Sequence, residues 1–194
     1  MTSEAPMSLT VPGRSCGECS LCCKLAKIVE LDKPDGVWCR HCAPGRGGCT
    51  IYETRPPVCR NWNCNWILEP ALGPEWRPLI SKMILYYEND GRRLCVRVDP
   101  GYADAWRREP HYSQLKQCAR RIAQDHKQIV VYIRKKAIVI LPDKDVDLGD
   151  LEVGDQIWVG AQNTAMGKTW YAACVPADVP PDQATAWVMA RTAK

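Results

Sequence analysis

The chain has 194 residues, of which 46% are hydrophobic and 25% charged, and its formal net charge is +4. This is enough chain for one good core or for a core with a small module beside it, with the composition of an ordinary soluble globular protein. No apolar run approaches the roughly 18 residues a membrane-spanning helix needs, and the charge is too small to mark a nucleic-acid protein by itself.

Residues 1–14, polar and punctuated by Pro6, Pro12 and Gly13, read as a flexible tail. They show no basic stretch leading into an apolar one, so the expected compartment is the cytoplasm. Residues 15–78 are rich in Cys, Gly, Pro and Trp, with few aliphatic residues at helical or strand period. "CAPGRGGC" and "RPPVC" are turn-forming and cannot continue a helix.

From Leu79 the pattern turns conventional. "ISKMILYYENDGRRLCVRVD" predicts two strands about an Asn89-Asp90-Gly91 turn. "HYSQLKQCARRIAQDHK" places Leu115, Cys118, Ala119, Ile122 and His126 at helical spacing behind Pro110. "QIVVYIRKKAIVIL" predicts two strands joined near Arg134–Lys136, and "VDLGDLEVGDQIWVGAQ" and "TWYAACV" predict further short strands. The expected fold class is α+β: a small irregular, metal-organised cysteine module at 15–78, then a mostly β domain at 79–194 with one clear helix.

Nine of the twelve cysteines, Cys16, Cys19, Cys22, Cys23, Cys39, Cys42, Cys49, Cys59 and Cys64, fall within residues 16–64; Cys95, Cys118 and Cys174 are scattered beyond. In a reducing compartment this density points to metal or redox chemistry rather than disulfides. A Cys-x-x-Cys turn can bring two sulfurs to one ion, at roughly 2.3 Å each for zinc. "SCGECSLCCK" therefore presents three thiolates along one side of a loop. Cys23 cannot easily point with Cys22, because adjacent side chains diverge, and a second metal or a bridging thiolate explains the pair. "WCRHC" adds Cys39 and Cys42 around His41, and "GGCTIYETRPPVCRNWNC" adds Cys49, Cys59 and Cys64. Nine thiols suffice for two four-thiolate sites or for one larger cluster. The spacing departs from the ferredoxin pattern; soft thiolates suit zinc and iron alike, and zinc is the first expectation. A segment so poor in core residues needs such a source of folding free energy, on the order of 10 kcal/mol or more per structural zinc.

The runs "CGECSLCC" and "GGCTIYETRPPVCRNWNC" resemble the CxxCxxCC (YkgJ-like) family of zinc- or iron-chelating cysteine-cluster proteins over residues 14–66. The resemblance implies metal ligation by Cys16, Cys19, Cys22, Cys23, Cys49, Cys59 and Cys64, with at least one of Cys39 and Cys42. Arg55 and Pro56 match its Arg-Pro step, and Pro56 and Pro57 restrict the backbone leading into Cys59. It implies no settled reaction.

The other candidates read as structure. His41 is expected to hydrogen-bond beside the site rather than ligate. Cys118 is expected in the core, Cys174 in core packing, and Cys95 in a strand; its neighbours Arg93 and Arg97 raise the alternative of a lowered thiol pKa. His111 and His126 are expected at the surface or at helix ends. Trp38, Trp62, Trp66 and Trp76 are expected to roof the metal site. The function expected is a metal-binding protein with a largely structural polythiolate site. The alternatives are an iron- or iron–sulfur-dependent redox or protein-modifying enzyme, and a nucleic-acid-binding zinc protein using the nine cations of residues 107–136. Six acids in residues 142–155 argue against the last. A protein partner is compatible with the sequence; a membrane is not expected.

Overall fold

A computed structural model describes residues 10–16, 19–42, 48–125, 127–165 and 167–192. The predicted tail through Leu9, most of the "CAPGRGGC" turn, and His126 lie outside the described residues. The chain divides into two compact units, residues 1–86 and 87–194.

The first unit has four short helices, α1 (Leu21–Leu25), α2 (Pro57–Arg60), α3 (Asn65–Leu68) and α4 (Pro78–Ser81). Two open on proline, which starts a helix without needing an N–H partner, and α4 stops at Lys82, whose φ of 60° is left-handed. With so little regular structure, side chains satisfy many backbone carbonyls. Arg14 donates from Nη1 to Trp66 O and to Glu69 O (3.0 Å), and from Nη2 to Leu72 O (2.7 Å), with its guanidinium 5.0 Å from the Trp66 ring. Lys33 is 5% exposed and donates to Lys24 O (2.7 Å) and Ala26 O. Leu21, Leu25 and Ile84 form a small apolar cluster against Cys19, Cys22, Trp62 and Tyr86.

The strands are β1 (Met83–Glu88), β2 (Arg93–Val98), β3 (Gln128–Ile133), β4 (Lys136–Ile140), β5 (Asp145–Asp150), β6 (Gln156–Thr164) and β7 (Gly167–Val175), with helices α5 (His111–Ile122) and α6 (Ala184–Thr192). β1 begins in the first unit and ends in the second. A mixed five-stranded sheet runs in the order β1-β2-β3-β4-β5, and β6-β7 form a separate hairpin. Residues Asn89, Asp90 and Gly91 take positive φ between β1 and β2, as the turn signal predicts. β2 and β3 pair in parallel, Val96 opposite Val131; parallel neighbours need a crossover, and α5 supplies it. β3–β4 and β4–β5 are antiparallel, with a register shift at Ala137/Ile138.

The core of the second unit is aliphatic: Val96, Val98, Ile129, Val130, Val131, Val139, Ile140 and Leu141 are fully buried. The α+β class stands, with α5 as the clear helix, and α6 is a second helix that the sequence did not signal. Its Ala184 and Val188 bury against Ala173 and Val175 of β7, an apolar pairing too short to give a helical period in sequence. β6 and β7 are also longer than predicted, at nine residues each.

Candidate metal centre

All nine clustered cysteines lie in the first unit, and all are reduced. Local turns place them. The N–H of Cys19 donates to Cys16 O (2.6 Å), that of Cys23 to Ser20 O (2.9 Å) and that of Cys42 to Cys39 O (3.0 Å). The first and third are the tight turns that a Cys-x-x-Cys spacing allows, and the second runs from Ser20 to Cys23. Two long-range ties join the pieces: Cys39 N donates to Cys23 O (2.9 Å), and Cys42 and Cys49 form an isolated antiparallel bridge. Pro57 opens α2, which carries Cys59, and Cys64 precedes α3.

Four sulfur-bearing residues, Cys16, Cys19, Cys22 and Cys64, line one small cavity of about 20 Å³ together with Trp62 and Trp66. It has room for one water-sized species. Backbone N–H groups already point at two of these sulfurs: those of Leu21 and Leu79 at Cys19, and those of Ile67 and Trp66 at Cys64. Such donors favour thiolate over thiol. Burial nevertheless dominates and pushes the Cys64 thiol up to about 11, and Cys16 and Cys19 upward as well.

Cys23 adjoins this group through Cys22 but is not among the cavity's lining residues. Cys22 donates a hydrogen bond to its sulfur, Cys42 adds another, and Lys33 and Arg55 lend positive charge, so its pKa falls to about 7 against the cost of burial. The same bond raises Cys22 well above the thiol range, with burial adding to it. Cys42 is raised by burial, and Ser20 hydrogen-bonds to it. Cys59, also raised by burial, has Cys23, Cys39 and Cys49 as its ionisable cysteine neighbours.

Among the described residues, no three His, Cys, Asp or Glu side chains are placed so that they could hold one ion together. Cys22 and Cys42 instead hydrogen-bond to the Cys23 sulfur. That spacing is close to what a metal requires: the sulfur–sulfur edge of a tetrahedron with 2.3 Å bonds is about 3.8 Å, within the reach of a hydrogen bond to sulfur. Arg55 Nε is buried with no hydrogen-bond partner among the described residues, beside Cys16 and Cys49. The donor set is therefore the right one for a soft metal, with cations at hand to offset thiolate charge.

Other expectations change. Trp62 and Trp66 line the cavity, but Trp38 lies under the Lys24 ammonium (5.6 Å) and Trp76 is buried away from the cavity lining. His41 uses its carbonyl, which accepts from Thr50 N and Oγ1 (2.8 and 3.1 Å). Cys95 is fully buried, and burial drives its pKa strongly upward; Arg93 and Arg97 do not overcome this. Cys118 is half-buried rather than in the core, 3.9 Å from Arg121 Nη2. Cys174 is half-buried, with its thiol donating to Asp155 Oδ2 (3.5 Å). His111 is buried at the start of α5, not exposed. Lys33 and Arg77, which lend positive charge near Cys23 and Cys19, carry no sequence signal, because nothing about an isolated cation predicts which thiols it will face. No protein-family model, curated protein or solved structure matches the chain.

Proposed function

We propose that this chain is a metal-binding cysteine-cluster protein, of a reducing compartment such as the cytoplasm, whose first unit is organised by zinc or iron bound to Cys16, Cys19, Cys22, Cys23, Cys39, Cys42, Cys49, Cys59 and Cys64. The observation that carries this reading is the gathering of nine reduced cysteines in a unit of four- and five-residue helices, with four of them around one cavity. The resemblance of "CGECSLCC" and "IYETRPPVC" to chelating cysteine-cluster proteins supports the same reading. When bound, the metal supplies a covalent framework for chain that has little apolar core of its own. The chain's own residues supply the rest: N–H groups of residues 21, 66, 67 and 79 receive developing thiolate charge, Lys33, Arg55 and Arg77 offset it, and Trp62 and Trp66 keep the cavity largely dry.

The nucleic-acid reading is disfavoured by specific pairs. Lys116 and Arg107 lie 3.2 and 3.8 Å from Asp145, Lys135 2.9 Å from Glu152, and Lys136 2.8 Å from Asp147. Lys116 also donates to Leu141 O (2.6 Å), so it works as an internal tie. Among the described residues no helix is long and apolar enough to cross a membrane.

The deciding experiment is elemental analysis with optical spectra on anaerobically purified, chelator-free protein. Bound zinc or iron above one equivalent per chain is expected; protein that stays metal-free on reconstitution with either ion overturns the reading.

A further inference from the structure

The sequence leaves open whether nine thiols make one large cluster or two separate centres. We propose two adjacent metal sites, one formed by Cys16, Cys19, Cys22 and Cys64 and the other by Cys23, Cys42 and Cys59 with one of Cys39 and Cys49, meeting at the Cys22–Cys23 peptide. This rests on the metal-binding reading and goes beyond it by assigning the ligands of each ion.

The assignment follows from which residues are brought together. The first set is the set that lines the cavity under Trp62 and Trp66. Its members come from two segments distant in sequence, the one that carries Cys16, Cys19 and Cys22 up to the first turn of α1 and the one that leads into α3. Both contribute the N–H···S geometry of a metal-binding knuckle: donors two residues on from Cys19, and two and three residues on from Cys64. A thiolate that accepts such bonds needs less cation charge beside it.

The second set is tied by backbone instead. Cys39 bonds to the Cys23 carbonyl, Cys42 turns back on Cys39, and Cys49 is bridged to Cys42. Cys59 and Cys64, only five residues apart, differ in place: Cys64 lines the cavity with Cys16, Cys19 and Cys22, and Cys59 is not among its lining residues. Cys22 and Cys23, adjacent in sequence and joined by a thiol–thiol hydrogen bond, then supply one ligand to each site.

Pulsed alkylation of the full-length, zinc-loaded protein during stepwise removal by a chelator tests this without any mutation. Peptide mass spectrometry, with fragmentation between Cys22 and Cys23, reads which thiols are released together. Two groups are expected, with Cys16, Cys19, Cys22 and Cys64 labelled in step and Cys23, Cys42 and Cys59 labelled in step at a different occupancy. Release of all nine together, or release of Cys59 with Cys64, overturns the partition. Native mass spectrometry adds a second arm. Wild type should hold two ions, Cys64→Ser and Cys59→Ser one each, and the double variant none; a double variant that keeps one ion places both residues at one site and overturns the partition. A wild type that binds no metal defeats the metal-binding reading itself, which separates that failure from failure of the partition.

Discussion

The two units of this protein solve the folding problem differently. In the second unit, fully buried Val, Ile and Leu from β2, β3 and β4 form a continuous apolar layer, and the hydrophobic effect suffices to hold it. In the first unit the buried apolar residues are few, three of the buried side chains are Cys39, Cys42 and Cys64, and carbonyls are capped by Arg14 and Lys33. A chain that cannot bury enough apolar surface must find another favourable term to offset conformational entropy. Metal–thiolate bonding is the term its side chains are suited to supply.

Stripping the metal should therefore give the largest effect, and only on one side of the comparison. With binding free energies on the order of 10 kcal/mol per site, a chelator should make residues 15–86 protease-sensitive while the sheet of residues 93–175 stays resistant. Limited proteolysis with fragment mapping reads this directly, and equal loss in both units would remove the contrast. Cys59→Ser should give the same pattern more weakly.

The reverse experiment strikes the apolar unit. Ile129→Ala, at a fully buried strand position, should cost about 2–5 kcal/mol in denaturant unfolding followed by sheet-sensitive circular dichroism. Metal stoichiometry should be unchanged. Loss of bound metal in that variant would show that the two units do not fold on separate terms.

Alkaline pH should sharpen the distinction further. In the second unit Cys95 is held protonated by burial, and Tyr132 is pushed by burial up to about 12 from 10.0. Both folded values lie above the unfolded ones, so the neutral forms are favoured in the fold. Their contribution is complete below about pH 9, where Cys95 would ionise if unfolded, and drains away as pH rises toward the folded values. Thermal melts of the sheet should be flat from pH 7 to 8 and fall from about pH 9 upward; Cys95→Ala should flatten the early part of that fall. The first unit should respond with opposite sign when metal is present. Its thiols, mostly raised by burial, must lose protons to bind, so apparent zinc affinity in chelator competition should rise between pH 6 and 8.

The smallest effect concerns the cations of residues 107–136. With Arg107, Lys116, Lys135 and Lys136 paired to acids, duplex DNA at physiological salt should bind no better than about 10 μM. Fluorescence anisotropy showing sub-micromolar, sequence-dependent binding lost in Arg120→Glu/Arg121→Glu would move function from the first unit to the second.

Local chemistry is what the sequence by itself determined. The strands of the sheet, the Asn89-Asp90-Gly91 turn and α5 were legible because period, turn residues and proline placement act over a few neighbours. The thiol identity of the centre was legible because Cys-x-x-Cys spacing is itself a short-range geometric statement. Helix α6 was not, since its apolar face is brief and gains meaning only against β7. Neither was the parallel pairing of β2 with β3, which depends on where the α5 crossover returns the chain. Burial of Cys95 and His111, and the half-exposure of Cys118, likewise follow from what packs over them. Above all, only the tertiary structure separates Cys59 from Cys64 and sets Lys33 and Arg55 beside Cys23. Sequence distance fixes which thiols can share a turn, but the path of the chain between turns fixes which turns share a site.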